Sequence, residues 1–135
     1  MAACERTSRV CDPAALRAYP LTSPMAHGAR LLTEQQVVAR YGGGGDIVRA
    51  RLMTYRQAAT AFPALAASAV IDRSREVWVL TRYYPKPVTV PFAGGYGPPG
   101  EPATEQISAV SVVIDATTGT VTDSCLGCAV IPRSG

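Results

Sequence analysis

The sequence is poor in the residues on which most enzymatic and nucleic-acid-binding sites depend. It has one histidine, His27, one lysine, Lys86, and 7% aromatic residues in a chain of 135. A lone histidine beside a glycine in a loop gives little basis for acid–base catalysis, which needs a positioned partner. The twelve arginines are spread along the chain and leave a net charge of +3, without the basic stripe of nucleic-acid-binding proteins. We therefore expect neither an enzyme nor a nucleic-acid-binding protein.

Long apolar runs are also missing. No segment approaches the roughly 18 to 20 consecutive apolar residues that cross a bilayer, so we expect no transmembrane segment. The opening Met1-Ala2-Ala3-Cys4 has the pattern of a start codon placed on a chain from which an export signal was removed. Ala-Ala-Cys also ends a bacterial lipoprotein cleavage site, which leaves a lipid anchor at Cys4 open. The sequence thus predicts an exported protein, extracellular or at the cell surface.

The cysteines lie at the two ends of the chain. An even number in a short exported protein predicts disulfides, and three connectivities are possible. The last pair has the spacing of a redox site, but it follows a strand pattern rather than opening a helix, which argues against a reactive thiol. A zinc site made by all four is another alternative, although the first pair is too widely spaced for a regular knuckle. We favour structural disulfides, with no metal or cofactor, for Cys4, Cys11, Cys125 and Cys128.

The composition suits one small domain, since 47% of the residues are apolar and 17% are charged. Residues 1–32 are rich in turn formers, which predicts an extended, loosely packed N-terminal arm. Residues 33–135 are predicted to form a single α+β domain. Its predicted architecture is short helices packed on a small antiparallel β-sheet that ends in a C-terminal β-hairpin.

Two short helices are predicted. Thr33-Glu34-Gln35-Gln36 offers a capping box, so a helix should run from Glu34 to about Tyr41 and end at the four glycines that follow. Thr54 is placed to cap a second helix from Tyr55 to Phe62. The glycine run leaves a helix instead of entering one, and no Lys-Ser/Thr follows it, which argues against a phosphate-binding loop.

Four strands account for most of the remaining apolar sequence. Residues 46–54 alternate between an apolar face and a cationic face, as in a half-buried strand. The run from Arg75 to Tyr84 is apolar on both faces, which is typical of a central strand. Residues 107–115 and 120–125 flank a turn with a glycine and predict a hairpin. Asp115 opens that turn and should accept hydrogen bonds from backbone N–H groups two residues on.

Residues 85–106 contain six prolines and four glycines and are predicted to form a long loop, within which Val88-Thr89-Val90 can pair as an edge strand. Loops of this length inside a small domain are usually functional or mobile. Large apolar side chains in the loop and in the strand before it are the candidates for a partner-binding surface. These candidates are Trp78, Leu80, Tyr84, Phe92 and Tyr96.

The order of helix and strands, with a strand and turn reading Val-Val-Ile-Asp-Ala-Thr-Thr-Gly-Thr-Val, resembles PepSY-like domains over roughly residues 31–125. The resemblance implies a small exported or membrane-associated module with a cystatin-like arrangement of helix on antiparallel sheet. Some such modules are thought to restrain peptidases or to bind peptides. The chain departs from the pattern in its long Pro/Gly loop, its short helix ended by four glycines and its terminal cysteine pairs. It also lacks the Gln-x-Val-x-Gly loop of cystatin inhibitors.

Two functional hypotheses follow. In the first, the chain is a non-enzymatic exported module that binds a peptide or protein through its sheet or through residues 85–106. In the second, it is a structural subunit of a cell-surface or extracellular filament, in which the N-terminal arm or that loop adds to a neighbour's sheet as an extra strand. The second hypothesis implies self-association.

Overall fold

In the computed structural model, residues 19–42, 45–91 and 104–134 are described, and they form an α+β fold. Two α-helices and one four-stranded antiparallel sheet make up this part of the chain, preceded by a turn of 3₁₀ helix at Tyr19–Thr22. The predicted fold class is thus confirmed at the level of α+β with an antiparallel sheet. The elements are α1 (Glu34–Tyr41), β1 (Ile47–Thr54), α2 (Tyr55–Ala61), β2 (Glu76–Pro91), β3 (Thr104–Asp115) and β4 (Val121–Leu126).

Both helices begin at capping boxes. At α1 the Thr33 hydroxyl accepts the Gln36 N–H at 3.2 Å, and the Gln36 side chain accepts the Thr33 N–H at 2.8 Å. Thr54 and Gln57 exchange the same two bonds at the start of α2. Each box satisfies two N–H groups that a helix start leaves without partners. The predicted bounds of α1 are confirmed, and α2 ends one residue earlier than predicted.

The sheet is a simple meander with strand order β1-β2-β3-β4. The predicted C-terminal hairpin is confirmed, since β3 pairs with β4 and the Gly119 N–H donates to the Asp115 carbonyl oxygen at 2.9 Å. Gly119 has φ +74°, a conformation that residues with a Cβ rarely adopt. Strand β2 lies between β1 and β3, which confirms the prediction of a central strand.

The two sides of the sheet carry separate apolar clusters. We call one side the closed face; it carries Val77 and Val79 from β2 and Val113 from β3. The other side is the half-open face; it carries Trp78 and Leu80 from β2, with Ile114 from β3. Both faces of β2 are buried because consecutive side chains of a strand point to opposite sides.

The closed face is covered along its length by α2, by the loop that follows it and by the C-terminal segment, residues 127–134. Ile131 of that segment is 2% exposed and packs in the cluster. Two buried hydroxyls hold the segment down: Thr81 accepts the Ile131 N–H at 3.0 Å, and Ser111 donates to the Cys128 carbonyl oxygen at 2.6 Å. These bonds satisfy backbone groups that burial would otherwise leave unpaired.

The half-open face is covered mainly over β1 and β2, where α1 packs through Val37. The Trp78 indole N–H donates to the Leu32 carbonyl oxygen at 2.9 Å and ties the chain before α1 to β2. Over β3 and the turn after it, Val37 of α1 packs in the same cluster as Ile114, and the Arg40 guanidinium lies beside Gly119. Val110 and Val112 are half-buried there.

The loop predicted for residues 85–106 is shorter than predicted at both ends, and the strand pairing predicted for Val88-Thr89-Val90 is confirmed. Strand β2 continues to Pro91, and Val88–Pro91 pair with Thr104–Ile107 as a two-stranded ribbon beyond the sheet. The ladder is interrupted between Tyr83 and Val88, so Pro85 and Pro87 fall where no ladder hydrogen bond is required of them. Residues 92–103 lie outside the described residues.

The prediction of a loosely packed arm is wrong for residues 19–32. Leu21 is 5% exposed in the closed-face cluster, and Leu31 and Leu32 pack against the other cluster. The Met25 sulfur accepts the Glu76 N–H at 3.1 Å. Apolar residues placed between turn formers dock this stretch on the domain. Residues 1–18 lie outside the described residues.

Candidate functional site

Of the residues predicted to bind a partner, those that the structure describes are buried or half-buried. Trp78 is 8% and Leu80 is 1% exposed, because both point into the half-open face beneath α1 and the chain before it. Tyr84 is half-buried, with the Arg82 guanidinium 5.2 Å from its ring centroid. Trp78 and Leu80 are therefore core residues of this domain, and a role for them in partner binding stays a prediction. Phe92 and Tyr96 lie outside the described residues.

Exposed apolar side chains lie instead on the two edge strands. Within the described ranges, five large apolar residues are exposed. Two of them stand apart: Val70 is in a loop and Val88 is on the ribbon. The other three lie on the half-open face, since Leu52 pairs with Trp78 and Val121 pairs with Ile114, while Leu126 pairs with Val110. The exposed fractions are 38% for Leu52, 41% for Val121 and 61% for Leu126.

Strand β4 presents backbone groups along its outer edge. In the described part of the chain, β3 is the one strand that pairs with it. The Gly127 N–H donates to the Ala109 carbonyl oxygen at 2.9 Å, so the backbone groups of Cys125 and Asp123 face β3, up to the register shift next to Val121. The alternation of an antiparallel ladder then turns the N–H and C=O groups of Ser124 and Leu126 outward. Their side chains are exposed on the half-open face.

Strand β1 forms the opposite edge. The Tyr55 N–H donates to the Arg75 carbonyl oxygen at 2.8 Å, which continues the β1–β2 ladder and places odd-numbered residues toward β2. The backbone groups of Val48, Ala50 and Leu52 therefore point outward. An open cleft of about 520 Å³ lies between this edge and the end of α1, lined by Val38, Ala39, Gly42, Gly45, Asp46, Ile47, Val48 and Arg49.

A hydrogen-bonded cluster fixes β4 to the rest of the domain. The Tyr55 hydroxyl donates to the Asp123 carboxylate at 2.9 Å and accepts the Ser68 N–H at 2.9 Å. The Ala67 N–H donates to the same carboxylate at 3.3 Å. Burial and the adjacent Asp123 raise the pKa of Tyr55 to about 12, so the phenol stays neutral and acts as a donor. These bonds tie β4 to α2 and to the loop after it on the closed face.

A buried ion pair fixes the turn between β3 and β4. The Arg75 guanidinium donates to both carboxylate oxygens of Asp115, at 2.7 and 3.0 Å, and to the Ser23 carbonyl oxygen at 3.0 Å. The N–H groups of Thr117 and Thr118 also donate to Asp115, as the sequence predicts. Burial alone would raise the pKa of Asp115, but these bonds outweigh it and lower the pKa to about 2. The carboxylate is used structurally.

The C-terminal cysteines lie at disulfide distance. Cys125 and Cys128 pair with their Cα atoms 5.5 Å apart. Gly127 between them has φ +82°, which lets the chain leave β4 and cross the closed face. The segment therefore turns away from the outer edge of β4. Cys4 and Cys11 lie outside the described residues. The pairing of these two cysteines, the zinc alternative and the lipid anchor therefore stay predictions.

Comparison with known proteins identifies no relative: no family model, no curated protein and no solved structure matches this chain. No helix of the described residues is both long and apolar enough to cross a membrane.

The exposed residues of the two edges, above all Val121 and Leu126, were not among the residues predicted from the sequence to bind a partner. Each is an ordinary apolar residue near the end of a short strand. The signal that points to them is the sheet topology. The last strand of a meander is an edge strand, and each of its side chains lies on the same face as that of its paired residue on the neighbouring strand. That signal becomes usable only once the strand order and register are known.

Proposed function

We propose that the chain is an exported, non-enzymatic module that binds an extended segment of a peptide or protein as a fifth strand along β4. Such binding uses main-chain hydrogen bonds for affinity and alternate side chains for specificity. The observation that carries the proposal is the coincidence, on one strand, of outward backbone groups and exposed apolar side chains at Ser124 and Leu126.

The arrangement of neighbouring residues supports this proposal. The half-buried Val110 and Val112 extend the apolar strip from Leu126 toward the middle of the sheet. An added strand would therefore place alternate side chains beside Val110, Val112 and Leu126, which are half-buried or exposed. Fixing β4 through Tyr55 and Asp123 lowers the ordering cost of binding, because the edge is preorganised.

The PepSY-like assignment belongs to the same proposal. A four-stranded antiparallel meander with helices beside it suits a cystatin-like module, and the Asp115–Gly119 turn is the shared motif. Export is supported by the Cys125–Cys128 pair, since disulfides persist in oxidising compartments. The absence of enzymatic activity is supported by the use of Asp115 and Asp123 in structural contacts.

A displayed library of random peptides tests the proposal. Peptides selected on the wild-type chain should bind about fivefold or more weakly to Leu126→Lys, since loss of an interface anchor costs more than about 1 kcal/mol. Ser124→Pro should also abolish binding, because it removes an outward N–H without breaking the ladder to β3.

The matched control is Val70→Lys, which changes an apolar residue of similar exposure, 67%, in a loop away from β4. It should bind the selected peptides as the wild type does. Circular dichroism and thermal unfolding of each variant establish that the fold is retained. If the selected peptides bind Leu126→Lys and Ser124→Pro as tightly as wild type, the β4 edge is not the binding surface.

A further inference from the structure

The directions of the two edge strands allow one copy of the chain to pair with another. In the meander β1-β2-β3-β4 every neighbouring pair is antiparallel, so β1 and β4 run in opposite directions. A second copy shifted along the sheet without rotation would therefore bring its β1 antiparallel to β4 of the first. On both edges the residues with outward backbone groups also carry their side chains on the half-open face. The two sheets can therefore join into one sheet, with the half-open faces of both copies on the same side.

We propose that the strand which β4 accepts is β1 of a second copy, so that the chain assembles head to tail through one continuous antiparallel sheet. This inference rests on the proposed function, because it needs β4 to accept an added strand. It names the partner of that edge.

One register pairs β1 with the whole of β4 and gives favourable side-chain neighbours on both faces of the joined sheet. Placing Val48 opposite Leu126 sets Ala50 opposite Ser124 and brings Leu52 beside Val121. The most exposed apolar side chain of β4, that of Leu126, then meets the cleft that Val48 lines at the end of α1. An apolar residue that projects from one edge thus faces an open recess on the other edge.

The same register pairs opposite charges on the closed face. It places Arg51, which is exposed, opposite Asp123 of the other copy. Among the described residues no cation lies within ion-pair distance of Asp123, although its carboxylate accepts three hydrogen bonds. Opposite charges across paired strands are favourable and like charges are not.

Among the two-fold pairings, those centred on Ala50 of β1 and on Asp123 of β4 bring like charges together. A pairing of β1 with β1 centred on the strand sets Arg49 of one copy opposite Arg51 of the other. A pairing of β4 with β4 centred on Asp123 sets two carboxylates opposite each other. The charges therefore favour β1 with β4. Such a heterologous interface does not close on itself and generates open oligomers or filaments.

Two proline variants separate the edges, because each removes one outward N–H and leaves the internal ladder intact: Leu52→Pro on β1 and Ser124→Pro on β4. Sedimentation equilibrium of the full chain is the measurement. For the wild type we expect an average mass that rises with concentration beyond twice the 14.2 kDa monomer. Each variant alone should remain a monomer, and an equimolar mixture should form a 1:1 dimer and nothing larger.

Lysine variants guard against local misfolding by proline. Leu52→Lys and Leu126→Lys should behave as the corresponding proline variants do, with circular dichroism spectra like that of the wild type. Arg51→Glu should weaken the association severalfold, whereas Arg56→Glu, an exposed arginine on α2, should not.

Three results would overturn the inference: a wild type that stays monomeric at every concentration, a mixture of the two proline variants that forms no dimer, or a Leu52→Pro chain that still dimerises through β4. The peptide selection distinguishes these from failure of the proposed function. Leu52→Pro keeps its β4 edge, so it should still bind the selected peptides. Peptide binding without self-association would leave the proposed function standing and remove the second copy as its partner.

Discussion

The two faces of the sheet are built differently, although both arise from the same four strands. On the closed face, α2, the loop after it and the C-terminal segment cover the apolar side chains, and buried hydroxyls satisfy the covering backbone. On the half-open face, α1 covers β1 and β2, while the β3–β4 side keeps exposed apolar groups. The closed face is therefore fully used in the core, whereas the other face keeps exposed apolar side chains at its two edges.

The largest expected effect on stability comes from breaking the buried ion pair between Arg75 and Asp115. Arg75→Ala should lower the free energy of unfolding by about 3–5 kcal/mol, because it leaves the buried Asp115 carboxylate without its cation. Urea denaturation measures the loss. Arg51→Ala, which removes an exposed arginine from β1, should change the stability of the monomer by less than about 0.5 kcal/mol. Equal losses in the two variants would contradict the structural role of the pair.

Truncation of one leucine-sized side chain on each face should give very different losses of stability. Ile131→Ala should cost about 2–4 kcal/mol, since Ile131 is 2% exposed and its removal leaves a cavity under the C-terminal segment. Leu126→Ala should cost less than about 0.5 kcal/mol, since the side chain is 61% exposed. Both values come from urea denaturation of the monomer. A large loss for Leu126→Ala would mean that this residue belongs to the core.

Acid should lower the free energy of unfolding, because it protonates Asp115. Its pKa is lowered from 3.8 to about 2 in the fold, so the unfolded chain binds the proton first as pH falls. The stabilisation is complete above about pH 4 and should be lost between about pH 4 and 2, by roughly 2 kcal/mol. Unfolding free energies measured across this range test it. Asp115→Asn, which has no carboxyl to titrate there, should flatten that part of the profile.

A smaller effect is expected at the hydroxyl that holds the C-terminal segment. Thr81→Val keeps the shape of the side chain but leaves the Ile131 N–H without its acceptor, at a cost of about 1–2 kcal/mol. Thr89→Val on the exposed ribbon is the matched control and should be neutral. Hydrogen exchange at the Ile131 amide should accelerate in the first variant. If it stays protected, another group holds the segment.

Local sequence signals predicted the local structure well. The capping box at Thr33 located α1, and Asp115 with Gly119 located the hairpin, because each signal depends on residues a few positions apart. The ion pair between Arg75 and Asp115 joins residues 40 positions apart, and no local pattern indicates it. The extent of the proline-rich ribbon was missed for a related reason, since its prolines are accommodated by a break in register with β3.

The candidate site was less accessible to sequence reasoning than the fold. Trp78 and Leu80 looked like a surface because a run of large apolar residues does not reveal which face a helix will cover. The exposed edge depended on the strand order, which is set by packing across the whole domain.

Amide hydrogen exchange along β4, measured in the monomeric Leu52→Pro variant, shows whether this strand accepts an added strand. In the free chain we predict slow exchange at Asp123 and Cys125, which face β3, and fast exchange at Ser124 and Leu126, which face outward. Adding a selected peptide, or the Ser124→Pro chain with its intact β1, should slow exchange at Ser124 and Leu126. If both amides exchange as fast in the complex as in the free chain, β4 is not the edge that accepts the added strand.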